Sequence, residues 1–360
     1  MRRGLMRWDA DELPKGALLE RIARLQAAMP GDRLDGFVFY TNLVQPSAVT
    51  FLTGFTPYWS DGLLLVPKSG APVFATALSK RVANWISSTN PVSEIVNTPK
   101  PGAAVGRRLA ADGCRRVGVL ELDRLPGGLH DEIVGAAPGI ELIDGSASFA
   151  LLRRRIDGAE RHLIERADAL AVAALNEVEA QSAADAGAVA GRVEKRARLQ
   201  GAEEAYIAVA PDLDSDRRMI RVSGPLPLAE RFALRASVAY KGSWVRRTRT
   251  FARDTAGRRA VERADAWFKT LASSIAPGKP LAAQIFARLS ELPGAVLKSY
   301  MAESSIGSYP LEVIASSRAP EMNPLADESF LVLTIELALD GIPWLGAAPL
   351  FACRVGEARR

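Results

Sequence analysis

Arg235 and Arg246 stand eleven residues apart in the stretch RASVAYKGSWVRRTRTF, which runs from Arg235 to Phe251. Each guanidinium is permanently protonated, carries five N–H donors and has no lone pair. Such a pair can grip a carboxylate or phosphate through bidentate contacts. It cannot ligate a metal. Arg249 lies close behind, and Ser304, Ser305 and Glu336 follow further along the chain. A serine nucleophile needs an adjacent base. The histidines, His130 and His162, both precede residue 163, so residues 163–360 offer no imidazole. Glu303, Glu312 or a distant lysine remain as bases for a serine. Lys241 would serve as a base only if desolvated, and its place in a turn predicts exposure.

The elements that must position these residues divide into two regions. At 360 residues the chain exceeds a usual single domain, and 48% hydrophobic with 24% charged residues describes an ordinary globular protein. A helix is expected over Leu18–Met29, where LLERIARLQAAM has helical apolar spacing. Strands follow at DGFVFYT, on both sides of a Lys68–Gly70 turn, at Arg116–Leu122 and at Ile140–Ile143, with helices near 79–88 and 103–112. This α/β alternation predicts a first domain over 1–152 and a second over 153–360. The second opens with one or two long helices to about Leu199, with Ile156, Ala159, Leu163, Ala167 and Leu170 on one face. Strands are expected at 204–210, 231–240 and 244–252, and helices at 258–276, ending at Pro277-Gly278, and at 281–291. Strands and turns should fill 297–355.

The net charge of +5 is spread over arginine clusters broken by acidic residues and not interleaved with aromatics, which argues against nucleic acid. No apolar run approaches the ~20 residues of a membrane span. The opening MRRGLMRWDADELPKG has no apolar signal core, so a cytoplasmic protein is expected. Cys114 and Cys353 should be free thiols.

In order along the chain, Leu34-Asp35-Gly36 with Phe51-Leu52-Thr53-Gly54-Phe55, the run Arg153–Ala171, the stretch Arg235–Phe251, Pro277-Gly278, Ser304-Ser305-Ile306-Gly307 and Leu333-Thr334-Ile335-Glu336 resemble the creatinase, prolidase and aminopeptidase P superfamily. The resemblance spans nearly the whole chain. It implies an α/β (α+β) fold, with a creatinase-like N-terminal α/β domain and a C-terminal pita-bread domain whose curved antiparallel sheet is covered by helices. It also implies a dinuclear metal site built from two aspartates, a histidine and two glutamates. Those positions carry over to Arg235, Arg246, Ser304, Glu336 and Ala347 or Ala348. Thr248, Arg249, Thr250 and Phe251 match the tail of the family pattern. By resemblance Tyr58, Trp59 and Asp61 rim a pocket or a dimer interface; an exposed aromatic turn is the alternative.

Each arginine ~4 Å from a dication would repel it by roughly 8 kcal/mol at an effective dielectric near 20, against a total structural-metal binding energy of ~10–16 kcal/mol. No metal and no other cofactor is therefore expected. Two arrangements remain open. Arg235, Arg246, Arg249, Ser304 and Glu336 can line a cationic pocket for a small anionic ligand, or Glu336 can pair with Arg235 or Arg246 and fill the old metal site. The first suits metal-independent C–N bond hydrolysis or anion binding. The second suits a non-catalytic homologue of the Xaa-Pro peptidases, working as a homodimer or as a heterodimer with an active relative. A serine hydrolase and a metallopeptidase with unconventional ligands complete the alternatives.

Overall fold

The structure, a computed structural model, describes residues 8–57, 60–183, 185–304, 312–318 and 325–352. It divides into two compact units, one running to Arg153 and the other beginning at Arg154. Cys114 is a buried free thiol, and Cys353 lies outside the described residues. Among the described residues, no helix is long and apolar enough to cross a membrane.

The first unit is a mixed α/β layer. Helix α1 (Lys15–Ala28) buries Leu18, Ile22 and Leu25, the i, i+4, i+7 stripe of an amphipathic helix. It is followed by β1 (Gly36–Thr41), α2 (Ser47–Thr53), β2 (Gly62–Pro67), β3 (Val73–Thr76), α3 (Ala83–Thr89), β4 (Glu94–Asn97), α4 (Pro101–Ala111), β5 (Arg116–Val119), α5 (Gly127–Ala136), β6 (Glu141–Asp144) and α6 (Ser146–Arg154). The six strands are ordered β4-β3-β2-β1-β5-β6, around a core that includes Val38, Leu63, Leu65 and Val117.

Three local differences from the sequence expectation have physical causes. Strand β5 stops at Val119 because Glu121, at φ 52°, turns the chain into a short 3-10 segment. The Leu-Thr of LTGF ends helix α2, and Gly54 supplies the left-handed cap at φ 75°. Helix α5 begins on Gly127-Gly128, whose low helix propensity masks it in the sequence.

The second unit starts with α7 (Gly158–Leu175) and α8 (Ala186–Leu199), capped by Asp157 and Asp185, whose side chains accept from the Glu160 and Ala188 amides. Then come β7 (Glu204–Ala210), β8 (Arg231–Tyr240), β9 (Ser243–Ala252), α9 (Thr255–Ser274), α10 (Leu281–Leu289), β10 (Ala295–Ser304), β11 (Glu312–Ser316), β12 (Ser329–Leu339) and β13 (Ile342–Ala352). The strands form a seven-stranded sheet ordered β11-β10-β12-β13-β9-β8-β7. Every pairing in it is antiparallel.

Helices cover the apolar side of each half. Phe232, Leu234, Ala236 and Val238 of β8 pack with α7 and α8. Leu331, Leu333, Ile335 and Leu337 of β12 pack with α9 and α10. Because strand side chains alternate, the residues between these point to the other face. That face carries the candidate site.

Candidate functional site

Register decides which sequence candidates share this inner face. On the β8–β9 hairpin Arg235 pairs with Thr248 and Ser237 with Arg246, so both arginines lie on the side away from α7. The halves meet in register at Ala347, which pairs with Thr248. It is reinforced by Thr250, whose hydroxyl donates to the Leu345 carbonyl and accepts from the Leu345 amide. Ala347 therefore faces Arg235 and Arg246, whereas Ala348 packs into the core under α9. Of the two alanines that could stand in for the family's second glutamate, Ala347 is the one on the inner face.

The centre of this face is an ion pair. Arg246 Nη1 donates to Glu303 Oε2, and both side chains are buried. Glu303 reaches the inner face because it pairs with Val332 on β12, the strand whose neighbouring Thr334 and Glu336 share that side. Burial pushes the Glu303 carboxyl up, and the positive charges of Arg246 and then Arg235 oppose that rise. Arg235 and Arg246 thus converge electrostatically on one carboxylate.

Glu336 is engaged elsewhere. Its Oε1 accepts from Arg217 Nη1 and its Oε2 from Ser299 Oγ at 3.2 Å. The pairing of Glu336 with Arg235 or Arg246 considered above is replaced by two separate pairs, because register seats Glu303 where it meets Arg246. Ser304 is buried, but strand alternation turns it away from the side Glu303 occupies. Ser305, Ile306 and Gly307 lie outside the described residues.

Arg249 sits an odd number of positions from Arg246 and lands on the opposite face. There it donates to Asn176 Oδ1 at 2.9 Å and covers the Phe251 ring. The expected gathering of Arg249 with Arg235 and Arg246 does not occur. Lys241, at φ 44°, occupies the tight turn between β8 and β9 and lies over the Tyr240 ring. In the first unit Asp61 is exposed, and its carboxylate charge acts on Tyr40, whose hydroxyl is raised first by burial. Tyr58 and Trp59 lie outside the described residues.

Sequence reasoning missed Arg217 and Ser299, and considered Glu303 only as a base for Ser304. Glu303 had one legible signal, its alternation with Ser304. Arg217 had none, since its partner is 119 residues away.

The donor set does not suit a divalent metal. Such ions want oxygen donors with free lone pairs. Here a guanidinium pairs with Glu303, another pairs with Glu336, and Ala347 supplies no donor. Among the described residues no group of three or more His, Cys, Asp or Glu is placed to hold a metal ion.

Comparison with known proteins agrees with this architecture. Residues 21–155 match the Creatinase/Prolidase N-terminal domain family. The chain is a pita-bread-fold protein. Its fold is similar to the Xaa-Pro dipeptidase of Bacillus anthracis, with 16% identity, TM-score 0.68, and coverage of 93% of this chain and 95% of that one. It is likewise similar to the X-Pro aminopeptidase of Thermotoga maritima, with 12% identity, TM-score 0.70 and coverage of 91% and 95%. The N-terminal domain of the FACT complex subunit SPT16 from chickpea, Cicer arietinum, shares the fold at 14% identity and TM-score 0.64, with 94% of each chain covered. A search of curated proteins finds no match.

Proposed function

We propose that this pita-bread protein is a metal-free homologue of creatinase and the Xaa-Pro peptidases that has left their metal chemistry behind. In this reading it works in the cytoplasm as a subunit, dimerised with itself or with a catalytically active relative. The observation that carries the reading is the buried Arg246–Glu303 pair at the centre of the inner face. It places a fixed cation where the family resemblance calls for a carboxylate ligand. A kept frame with replaced ligands fits a role that needs the fold's surfaces more than its chemistry. The occurrence of the same fold in a domain of a complex subunit, SPT16, is in keeping with this. Light scattering on the purified protein tests it: a stable dimer, or a stable complex with an active relative, is expected. A strictly monomeric protein that forms no complex with such a relative at micromolar concentration overturns it.

A second reading treats the inner face as a receptor for a small anionic ligand, in which an Arg-lined pocket binds a carboxylate or hydrolyses a C–N bond without metal. Its supporting observation is the sharing of one face by Arg217, Arg235 and Arg246. Thermal-shift measurements with small carboxylates, repeated on Arg246→Ala, separate the two. A stabilisation that disappears in the variant supports the receptor. No response supports the subunit.

A further inference from the structure

Residues 211–220 leave the end of β7 and cross the inner face before the chain returns to β8. Both ends are tied to the sheet by backbone bonds, Val209 and Ile220 forming a two-way bridge and the Leu213 amide donating to the Arg231 carbonyl. Inside the segment, Asp212 accepts from Ser215, and Asp216 accepts from Arg218, so the turn is ordered by its own side chains. Arg231 adds an ion pair to Asp214 at 3.1 Å.

Two contacts then reach across to the far half of the sheet. Leu213 is fully buried against Leu345, Ala233 and Ala210, with Met219 packed beside it. Arg217 donates to Glu336, whose other oxygen accepts from Ser299. Glu336 and Leu345 are register partners on β12 and β13. The apolar and the ionic contact thus fall on a single row of the sheet. They differ in solvent access: Leu213 is sealed, whereas Arg217 and Glu336 side chains remain 33% and 25% exposed.

We propose that residues 211–220 form a strap closed over the inner face and that the Arg217–Glu336 pair is its latch. The strap is stapled at its base and plugged by Leu213. The latch is the one of these contacts that water and ions reach and that joins the strap to β12. Breaking it lets the tip lift without unfolding the sheet beneath, as local openings in native proteins do. This reading is independent of what, if anything, binds beneath the strap.

Hydrogen exchange on the full-length protein tests it. In Glu336→Gln, amides of the tip, 214–219, should exchange about fivefold faster than in the wild type, the scale of a partly exposed ion pair, with the Leu213 and Ile220 amides at the base and strands β8 and β9 unchanged. Trypsin should cut after Arg218 correspondingly faster. The double variant Arg217→Gln/Glu336→Gln should exchange no faster than Glu336→Gln, because both remove one contact. Unchanged strap exchange in Glu336→Gln, an equal rise across β8 and β9, or an additive effect in the double variant would each overturn the latch.

Discussion

Replacing Arg246 by methionine removes the cation of the buried pair and keeps most of its stem volume. Glu303 is then left in a site from which water is excluded, both side chains being under a tenth exposed. Losing one partner of a buried ion pair costs about 3–5 kcal/mol. Two features of this site hold the loss near the lower end. Arg235 still acts on Glu303, and burial already pushes that carboxyl up, so the orphaned group can take a proton in place of staying charged. A loss of about 3 kcal/mol in a domain of this size lowers Tm by roughly 6–12 °C. Removing both charges, as Arg246→Met/Glu303→Leu, should restore most of the loss, because a well-packed apolar pair is often as stable as the ion pair it replaces. Calorimetric unfolding of the four proteins closes a double-mutant cycle, in which the double variant should lose far less than the sum of the two singles. If the single variant loses less than about 1 kcal/mol, or the double variant loses the sum of the two singles, the pair is not the centre of the site and the reasoning fails.

Other consequences concern pH, metal and packing. With its carboxyl raised by burial, Glu303 contributes stability present below the ordinary carboxylate range and lost as pH rises through its folded value. Tm of the wild type relative to Glu303→Gln should therefore fall as pH rises from acid, and a flat difference would contradict the buried assignment. Asp35 behaves in the opposite sense, since the Arg115 and Arg116 amides hold its carboxyl down. Its contribution is full above the ordinary value and lost as pH falls through the lowered one, so the stability gap to Asp35→Asn should close in acid. Manganese, cobalt or zinc should leave Tm unchanged, and so should a chelator; a saturable stabilisation abolished by Glu303→Gln would restore the metal reading. In Gly346→Ala the new methyl group would meet the Trp344 ring at 2.1 Å, and Trp344 is held by its hydrogen bond to Asp265. Overpacking of this kind costs about 1–3 kcal/mol, readable by denaturant unfolding.

Much of the scaffold was legible because its signals are local. The stripe of Leu18, Ile22 and Leu25 on α1 and the alternation in β8 and β9 sit within single elements. Gly278, at φ 82°, marks the turn just after α9, which ends at Ser274. Resemblance carried the rest of the frame, with its ordered landmarks from Leu34-Asp35-Gly36 to Glu336. Within the site, strand alternation could have separated Arg249 from Arg246 and Ser304 from Glu303 without any structure. The helix α5 start on two glycines and the turn at Glu121 were hidden, because each depends on backbone geometry that the residue types disfavour.

By itself the sequence determined the inventory of charges: arginines at positions 235 and 246, a glutamate at 336, alanines at 347 and 348, and no imidazole after residue 162. That inventory is enough to disfavour a metal, since guanidinium has no lone pair to give. Only the tertiary structure decided which anion answers which arginine. Arg246 meets Glu303 across 57 residues, while Glu336 goes to Arg217 across 119. Burial demands that such charges be paired, but the partner is chosen by the register between strands that are distant in the chain. Register is a collective property of the folded sheet.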